Sequence, residues 1–182
     1  VDPIDGTRSF AEGKPEFCLS VAVAEAGRVV AAAIFAPAKE ALFDAADTAG
    51  ARLNGTAITV SDQRNADAAR ILGTRSIRTT ADWSGGVPGF EIGYVHPIAY
   101  RLCLVASGEW DGLITFRGTN EWDVAAGDLI VREAGGQVTD QRGRVFEFNK
   151  STPRVPGALA GSHALHADLR RRLPDAPEIA RG

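Results

Sequence analysis

The sequence contains no methionine and only two cysteines, Cys18 and Cys103, among its 182 residues. Each cysteine stands among apolar residues, so we expect buried free thiols in a reducing cytoplasm rather than a disulfide. Because methionine is absent and the chain begins at Val1, directly before an acidic motif, we expect the domain to have a further segment upstream of Val1.

The sequence also lacks a strong excess of either charge. Twenty Lys and Arg residues stand against 23 Asp and Glu residues, which gives a net charge of −3. Such a balance argues against a general binder of nucleic-acid polymers or of membrane surfaces. No apolar run reaches the length of a membrane span, and no signal peptide is visible. We therefore expect a cytoplasmic protein without nucleic-acid or membrane partners.

The hydrophobic pattern predicts a single layered α/β domain over residues 1–173, followed by a frayed tail at 174–182. Predicted strands cluster early in the chain and alternate with helices later. The predicted strands cover 17–24, 29–35, 42–43, 70–74, 111–116, 137–139 and 157–161, with a hairpin over 51–60 across Asn54-Gly55. The predicted helices cover 97–107, 123–134 and 162–173, with helical turns at 7–10 and 79–83.

Two aspartates stand three positions apart in residues 1–7, which read Val-Asp-Pro-Ile-Asp-Gly-Thr. Asp2 and Asp5 can face one small volume, and the carbonyl of Ile4 can join them because the intervening proline restricts the backbone. Hard cations such as Mg²⁺ prefer oxygen ligands of this kind. An acidic turn with only local backbone hydrogen bonds would explain the same residues.

A second acidic element begins at Asp123, at the predicted start of a helix. A carboxylate at that place can simply cap the free amides of the helix. However, the next residues are small, with Ala, Ala and Gly at 125–127, and they would allow the helix to approach another element closely. If Asp123 approaches Asp2 and Asp5, the three carboxylates would repel each other without cations, which favours a two-metal site.

Three motifs, in this order and spacing, resemble those of the inositol monophosphatase superfamily of Mg²⁺-dependent, lithium-sensitive phosphatases. They are DPIDGT from Asp2 to Thr7, WDVAAG from Trp122 to Gly127, and EAGG from Glu133 to Gly136. Residues 15–24, 50–55 and 103–108 agree as well, so that the resemblance runs from residue 1 to about residue 165. It implies an αβαβα sandwich that lacks its N-terminal segment.

The resemblance implies a metal site with two or three Mg²⁺ ions. Asp2 would bridge two ions, and the carbonyl of Ile4 would be a ligand of the first. Asp5 and Asp123 would be ligands of the second ion.

The resemblance also implies a phosphate site beside the metals. The amides of Gly6 and Thr7 would hold the phosphate, and the hydroxyl of Thr7 would help to orient the attacking water. Because water attacks phosphorus directly, Cys18 and Cys103 have no catalytic role on this interpretation.

The family uses a further glutamate and a further aspartate from segments upstream of DPIDGT, and these do not occur in the sequence. We therefore expect the 182 residues alone to lack the full ligand set of the first metal site. On this hypothesis they should show negligible Mg²⁺-dependent phosphatase activity by themselves.

The substrate class depends on the residues before Asp123. Inositol monophosphatases usually place a sugar-binding glutamate seven residues earlier, where this chain has Phe116. Phe116, Thr119 and Glu121 are instead similar to the bacterial branch that hydrolyses 3′-phosphoadenosine 5′-phosphate. Arg101 stands where that branch tends to carry a lysine, so it can meet a second phosphate, although an exposed helix residue would look the same. Arg101 and Glu121 are thus the candidate substrate-binding residues.

The preferred interpretation is a 3′(2′),5′-bisphosphate nucleotidase, with an inositol-1-monophosphatase or a related sugar-phosphate phosphatase as the alternative. Fructose bisphosphatases use the same kind of metal site, but no specific match to their sugar-binding elements is visible. A catalytically silent binding module is the alternative of another class, and the intact set of Asp2, Asp5 and Asp123 speaks against it. Homodimers are common in the superfamily, yet nothing in the sequence identifies an interface.

Overall fold

The computed structural model describes residues 1–80 and 83–173. The strands are β1 (Asp2–Asp5), β2 (Cys18–Glu25), β3 (Arg28–Ala36), β4 (Ala41–Ala46), β5 (Ala51–Leu53), β6 (Thr56–Ala57), β7 (Arg70–Leu72), β8 (Glu91–Gly93), β9 (Gly112–Thr115), β10 (Thr119–Asn120), β11 (Gly136–Thr139), β12 (Arg154–Val155) and β13 (Ala158–Ser162). The α-helices are α1 (Thr7–Ala11), α2 (Ile77–Thr80), α3 (Ile98–Ala106), α4 (Glu121–Glu133) and α5 (His163–Arg172), and short 3₁₀ turns cover Pro37–Lys39 and Ala66–Ala68.

The first sheet is antiparallel and follows the chain, in the order β1-β2-β3-β4-β5-β6. Two of its hairpins turn through paired residues with positive φ, Ala26-Gly27 and Asn54-Gly55. Two such residues in succession are typical of the type I′ turn, whose twist matches that of the flanking strands. The predicted hairpin across Asn54-Gly55 is therefore confirmed.

The second sheet is mixed, in the order β11-β13-β9-β7-β8. Strand β7 is parallel to both of its neighbours, whereas β13 runs antiparallel to both β9 and β11. A separate antiparallel pair joins β10 to β12. The predicted parallel strand at Arg70 is confirmed.

Helices α3 and α4 pack against each other and lie between the two sheets. Their closest approach is at Gly127, where a Cβ atom would lie 2.5 Å from Cδ1 of Leu102. The small residues at 125–127 thus permit a close approach, as predicted, and at Gly127 the partner is α3.

Helix α5 covers the other face of the second sheet, where it forms a second apolar cluster. The described residues therefore supply four layers in the order sheet, helices, sheet, helix. The layered α/β class is confirmed, and the fifth layer of the expected αβαβα sandwich is not formed by the described residues. The outer face of the first sheet carries partly exposed apolar side chains, among them Val21 at 43% and Val23 at 57%.

Glu133, from the EAGG motif, joins the end of α4 to the turn between β4 and β5. Its Oε1 accepts a hydrogen bond from the amide of Thr48 at 3.1 Å, and its Oε2 accepts one from the amide of Gly50 at 2.9 Å. The motif glutamate therefore has a structural partner on the first sheet.

Several predicted boundaries change in the structure. Helix α4 begins at Glu121, two residues before the predicted start, and the acidic stretch at Asp2–Asp5 is a strand rather than only a turn. The predicted helical turn at 79–83 corresponds in part to α2, but residues 81–82 and the predicted frayed tail at 174–182 lie outside the described residues.

Both cysteines are free and fully buried, as expected. No helix among residues 1–80 and 83–173 combines the length and apolar character needed to cross a membrane.

His166 joins α5 to the second sheet through a buried hydrogen bond. Its Nε2 lies 2.8 Å from the hydroxyl of Thr139, which is itself 2.7 Å from the carbonyl oxygen of Asp140. Because the single hydroxyl proton of Thr139 goes to that carbonyl, Nε2 of His166 must carry the proton of the imidazole. Burial, together with the charges of Arg170 and His163, lowers the pKa of His166 from 6.5 to about 4.

We expect the free energy of unfolding to decrease as the pH falls from 6.5 towards 4. In this window the unfolded chain binds a proton at His166 that the folded chain excludes, so the stabilisation is complete above pH 6.5 and is lost below it. The full difference would be about 3 kcal/mol. Urea unfolding at pH 7.0 and 5.0 measures about 2 kcal/mol of it, with His166→Gln as the variant that removes the titration. An equal loss in both proteins would contradict the assignment.

Candidate active site

An irregularity in β1 brings the first two carboxylates towards one volume. Side chains three positions apart point to opposite faces of a regular strand. The pairing of β1 with β2 is Asp2 to Ser20 and Asp5 to Cys18, with a shift of register between the two pairs. Such a shift re-aims side chains locally, and both Asp2 and Asp5 line the same cavity.

Gly6 is the single residue that connects β1 to α1. Its φ is +89°, and a Cβ atom would lie 2.8 Å from the carbonyl oxygen of Glu16 and 2.9 Å from Cγ of Pro97. A left-handed backbone and this close approach both require glycine. The first amides of α1 therefore begin directly beside the carboxylate of Asp5.

Asp5 and Asp2 are held by backbone amides. Oδ2 of Asp5 accepts a hydrogen bond from the amide of Ala99 at 2.8 Å, in the first turn of α3. Oδ1 of Asp2 accepts one from the amide of Ile4 at 3.1 Å. Burial and, to a smaller extent, the carboxylates of Asp2 and Asp123 raise the pKa of Asp5 to about 7. Burial and the nearby carboxylate of Asp123 also raise the pKa of Asp2.

Asp123 lies in the first turn of α4, where it belongs to a capping box with Asn120. Its Oδ2 accepts a hydrogen bond from the amide of Asn120 at 3.0 Å and contacts the hydroxyl of Thr119. The helix-cap interpretation of Asp123 is thus correct, and the same carboxylate also lines the cavity with Asp2 and Asp5.

The cavity has a volume of about 650 Å³. Seven of the eight predicted site residues line it: Asp2, Ile4, Asp5, Gly6, Thr7, Arg101 and Asp123. The fold thus brings the two acidic motifs together, as the sequence predicts.

Arg101 is buried in the wall of the cavity rather than exposed on α3, with 9% of its surface accessible. Its Nη2 donates to the carbonyl oxygen of His96 at 3.3 Å, and its guanidinium lies 5.5 Å from the centre of the Tyr94 ring. Attraction to Asp5 favours its charged form, although burial is the larger effect and lowers its pKa.

The prediction that Glu121 faces the substrate is wrong for this cavity. Its carboxylate points away from the acidic residues, accepts a hydrogen bond from the amide of Asn149 at 2.7 Å and lies 3.5 Å from Nζ of Lys150. It lines a neighbouring cavity of about 380 Å³. Because Glu121 precedes Asp123 by two residues on a helix, the two side chains leave α4 in different directions.

Several further residues line the cavity and were not predicted as site residues, among them Arg8, Tyr94, His96 and Arg117. Arg8 directly follows the predicted site residue Thr7, and that adjacency was an available signal. No sequence motif marks Tyr94 and His96. The turn between β8 and α3 brings them to the site only in the folded chain.

The donor set suits a hard cation. Three carboxylates line one cavity, and burial together with their mutual repulsion raises the pKa of Asp2 and of Asp5. A bound cation would neutralise this negative charge. Within the described ranges, no group of three or more His, Cys, Asp or Glu side chains is placed so that it could hold a metal ion. Mg²⁺ usually takes one or two protein carboxylates and completes its shell with water and substrate phosphate, so the residues fit this ion.

Neither cysteine is a nucleophile of this site. Burial raises the pKa of both the Cys18 and the Cys103 thiols, so they remain protonated.

A family model described as the inositol monophosphatase family matches residues 1–176. The chain is 34% identical to the Nus factor SuhB of Pseudomonas aeruginosa, over 96% of this chain and 67% of that protein. It is 37% identical to a fructose-1,6-bisphosphatase/inositol-1-monophosphatase of Thermotoga maritima, over 79% of this chain and 57% of that protein. The solved structure of the extragenic suppressor protein suhB from Bartonella henselae superposes with a TM-score of 0.80 at 30% identity, over 97% of this chain and 69% of that one.

The chain spans between 56% and 68% of the length of these and similar curated relatives.

We expect Gly6→Ala to destabilise the protein far more than Gly13→Ala. Both glycines have positive φ, but a Cβ atom at Gly13 meets no heavy atom within 4 Å. Gly13→Ala should therefore cost only the backbone strain, about 1 kcal/mol. Gly6→Ala should cost at least ~2 kcal/mol more, because Glu16 and Pro97 must move. Urea unfolding of both variants measures the difference, and equal losses would contradict the close packing at Gly6.

Proposed function

This chain belongs to the inositol monophosphatase family, and on that basis we propose that it forms the catalytic site of a Mg²⁺-dependent phosphomonoesterase acting on a small phosphorylated metabolite. One observation carries the proposal: the carboxylates of Asp2 and Asp5 from β1 and of Asp123 from α4 line the same cavity as the Gly6-Thr7 corner. Metal-dependent phosphatases need this combination of carboxylates for cations and amides for phosphate.

The carboxylates of Asp2, Asp5 and Asp123 and the carbonyl of Ile4 would hold the ions. Bound Mg²⁺ would supply a more acidic water and would neutralise charge on the phosphoryl oxygens. The amides of Ile4 and Ala99 keep the carboxylates of Asp2 and Asp5 oriented, so that these oxygens need little reorganisation when cation and substrate arrive.

The Gly6-Thr7 corner would hold the phosphate. The first amides of a helix have no acceptor within the helix and attract an anion. Thr7 is exposed at the start of α1, and its hydroxyl can accept a hydrogen bond from the attacking water and so orient it towards phosphorus. The protonated thiols of Cys18 and Cys103 are consistent with direct attack by water.

The alternative of another class is a binding module without catalysis. The name Nus factor, carried by relatives of 33–34% identity, makes a role in binding worth testing beside the enzymatic one. Such a module need not bind Mg²⁺, and therefore a metal titration separates the two classes.

We also propose a cytoplasmic location and inhibition by lithium. The two buried free thiols favour a reducing compartment, and lithium sensitivity follows from the family resemblance alone.

We expect Asp123→Asn to weaken Mg²⁺ binding at least about tenfold and to reduce phosphate release with it. Asparagine keeps an oxygen that can accept the Asn120 amide, so the helix cap should survive while the ligand charge is lost. Calorimetric Mg²⁺ titration, phosphate release and urea unfolding are measured together. Asp62→Asn, at an exposed position outside the cavity, is the matched control. Unchanged Mg²⁺ affinity in Asp123→Asn would refute the metal site.

For the substrate, we propose a 3′(2′),5′-bisphosphate nucleotidase activity, which converts 3′-phosphoadenosine 5′-phosphate to AMP and phosphate. The buried Phe116 cannot offer the carboxylate that inositol would require, and the cation of Arg101 lies in the cavity wall. An inositol-1-monophosphatase is the second candidate. Fructose 1,6-bisphosphate enters as a third, because the name of the Thermotoga maritima relative includes it.

Although we expect little phosphate release from the 182 residues alone, we expect that release to be fastest with 3′-phosphoadenosine 5′-phosphate when it is compared with inositol 1-phosphate and fructose 1,6-bisphosphate under the same conditions. The values of kcat/KM with Mg²⁺ rank the three compounds. A preference for inositol 1-phosphate would reject the nucleotidase assignment and leave the phosphomonoesterase proposal intact.

A further inference from the structure

We propose that Arg8 and Arg117 form a subsite for a second phosphate group on the same substrate molecule. This inference rests on the proposed phosphomonoesterase function and specifies its substrate class as a bisphosphate. Both arginines line the cavity that also contains the three carboxylates.

The two arginines extend into the cavity from different elements. Arg8 follows Thr7 in the first turn of α1, and Arg117 lies in the connection between β9 and β10. The backbone at each position is held. The carbonyl oxygen of Arg8 accepts the amide of Glu12 at 3.0 Å, and the amide of Arg117 donates to the hydroxyl of Thr115 at 3.2 Å. Fixed backbones with long exposed side chains can converge on one anion.

Neither arginine is used within the fold. Both side chains are exposed, and among residues 1–80 and 83–173 neither Arg8 nor Arg117 forms an ion pair with a carboxylate. A guanidinium presents a planar set of donors that matches a phosphate in a bidentate manner. The two side chains are therefore available to a ligand.

Arg101 differs from them, although it carries the same charge in the same cavity. Its guanidinium is buried, donates to the carbonyl oxygens of His96 and Pro97 and lies over the ring of Tyr94. Its charge is attracted to Asp5. Arg101 thus neutralises part of the charge on the acidic side of the cavity. We therefore assign the binding of a second phosphate to Arg8 and Arg117.

The separation of charge in the cavity favours a substrate with two anionic ends. The reacting phosphate belongs beside Asp2, Asp5 and Asp123, where cations and the first amides of α1 match its charge. A monophosphate would leave Arg8 and Arg117 facing solvent. A bisphosphate would place its second group, with about two negative charges, between them.

The test compares two pairs of substrates that differ only in the second phosphate. One pair is 3′-phosphoadenosine 5′-phosphate and adenosine 3′-phosphate, and the other is fructose 1,6-bisphosphate and fructose 1-phosphate. The ratio of kcat/KM within each pair is measured for the unchanged protein, Arg8→Gln, Arg117→Gln, Arg117→Lys and the double glutamine variant. Arg52→Gln is the control, because Arg52 is exposed on β5 and outside the cavity.

We expect the unchanged protein to prefer the bisphosphate of at least one pair, with a ratio of about tenfold or more. The double variant should bring that ratio close to one, Arg117→Lys should retain part of it, and Arg52→Gln should retain all of it. An equal loss for both members of a pair would mean that the arginines serve the reacting phosphate, and it would overturn the subsite. A ratio near one in the unchanged protein would overturn it as well.

A binding measurement tests the subsite independently of the proposed catalytic function. Calorimetric titration with the two adenosine phosphates and no added metal reports the arginines without turnover. Tighter binding of the bisphosphate, lost in the double variant, would support the subsite even if the 182 residues released no phosphate from any compound, whereas the phosphomonoesterase proposal is tested separately by the Mg²⁺ titration of Asp123→Asn. Equal binding of both nucleotides would refute the subsite.

Discussion

Both halves of the acidic site depend on contacts with one buried helix, α3. The amide of Ala99 binds Oδ2 of Asp5 at 2.8 Å, and one turn later Leu102 packs against Gly127 of α4. Asp123 lies four residues before Gly127, on the same side of α4. The contact between α3 and α4 therefore sets how far Asp123 reaches towards Asp5. Any side chain at Gly127 would push α4 away and would separate the carboxylates.

The cavity has an acidic and a basic side, and burial makes the difference between them matter. Asp5 is buried beside two other carboxylates, and its pKa therefore rises to about 7, while the buried Arg101 offsets part of the negative charge. Bound cations, together with a phosphate, would balance the remaining negative charge on the acidic side. Arg8 and Arg117 are exposed and hydrated, and among residues 1–80 and 83–173 neither forms an ion pair with a carboxylate.

Regular elements with strong local signals were predictable from the sequence. The turn at Asn54-Gly55, the cap at Ser162 and the glycine after α3 each act over a few residues, and the hairpins and long helices follow from them. The two-residue strands β10 and β12 were not predictable, because each exists only through its pairing with the other. Glu121 was misassigned since spacing along the chain does not show that Asn149 would take its carboxylate.

The sequence by itself determined the chemical inventory of the site: two acidic motifs, a glycine corner, and the family to which they belong. It could do so because the turn at Gly6 and the cap at Asp123 are local structures. Only the tertiary structure decided which charged groups share the cavity. Arg101, Tyr94 and Arg117 come from separate elements, and their places result from packing between helices and sheets, which no local pattern records.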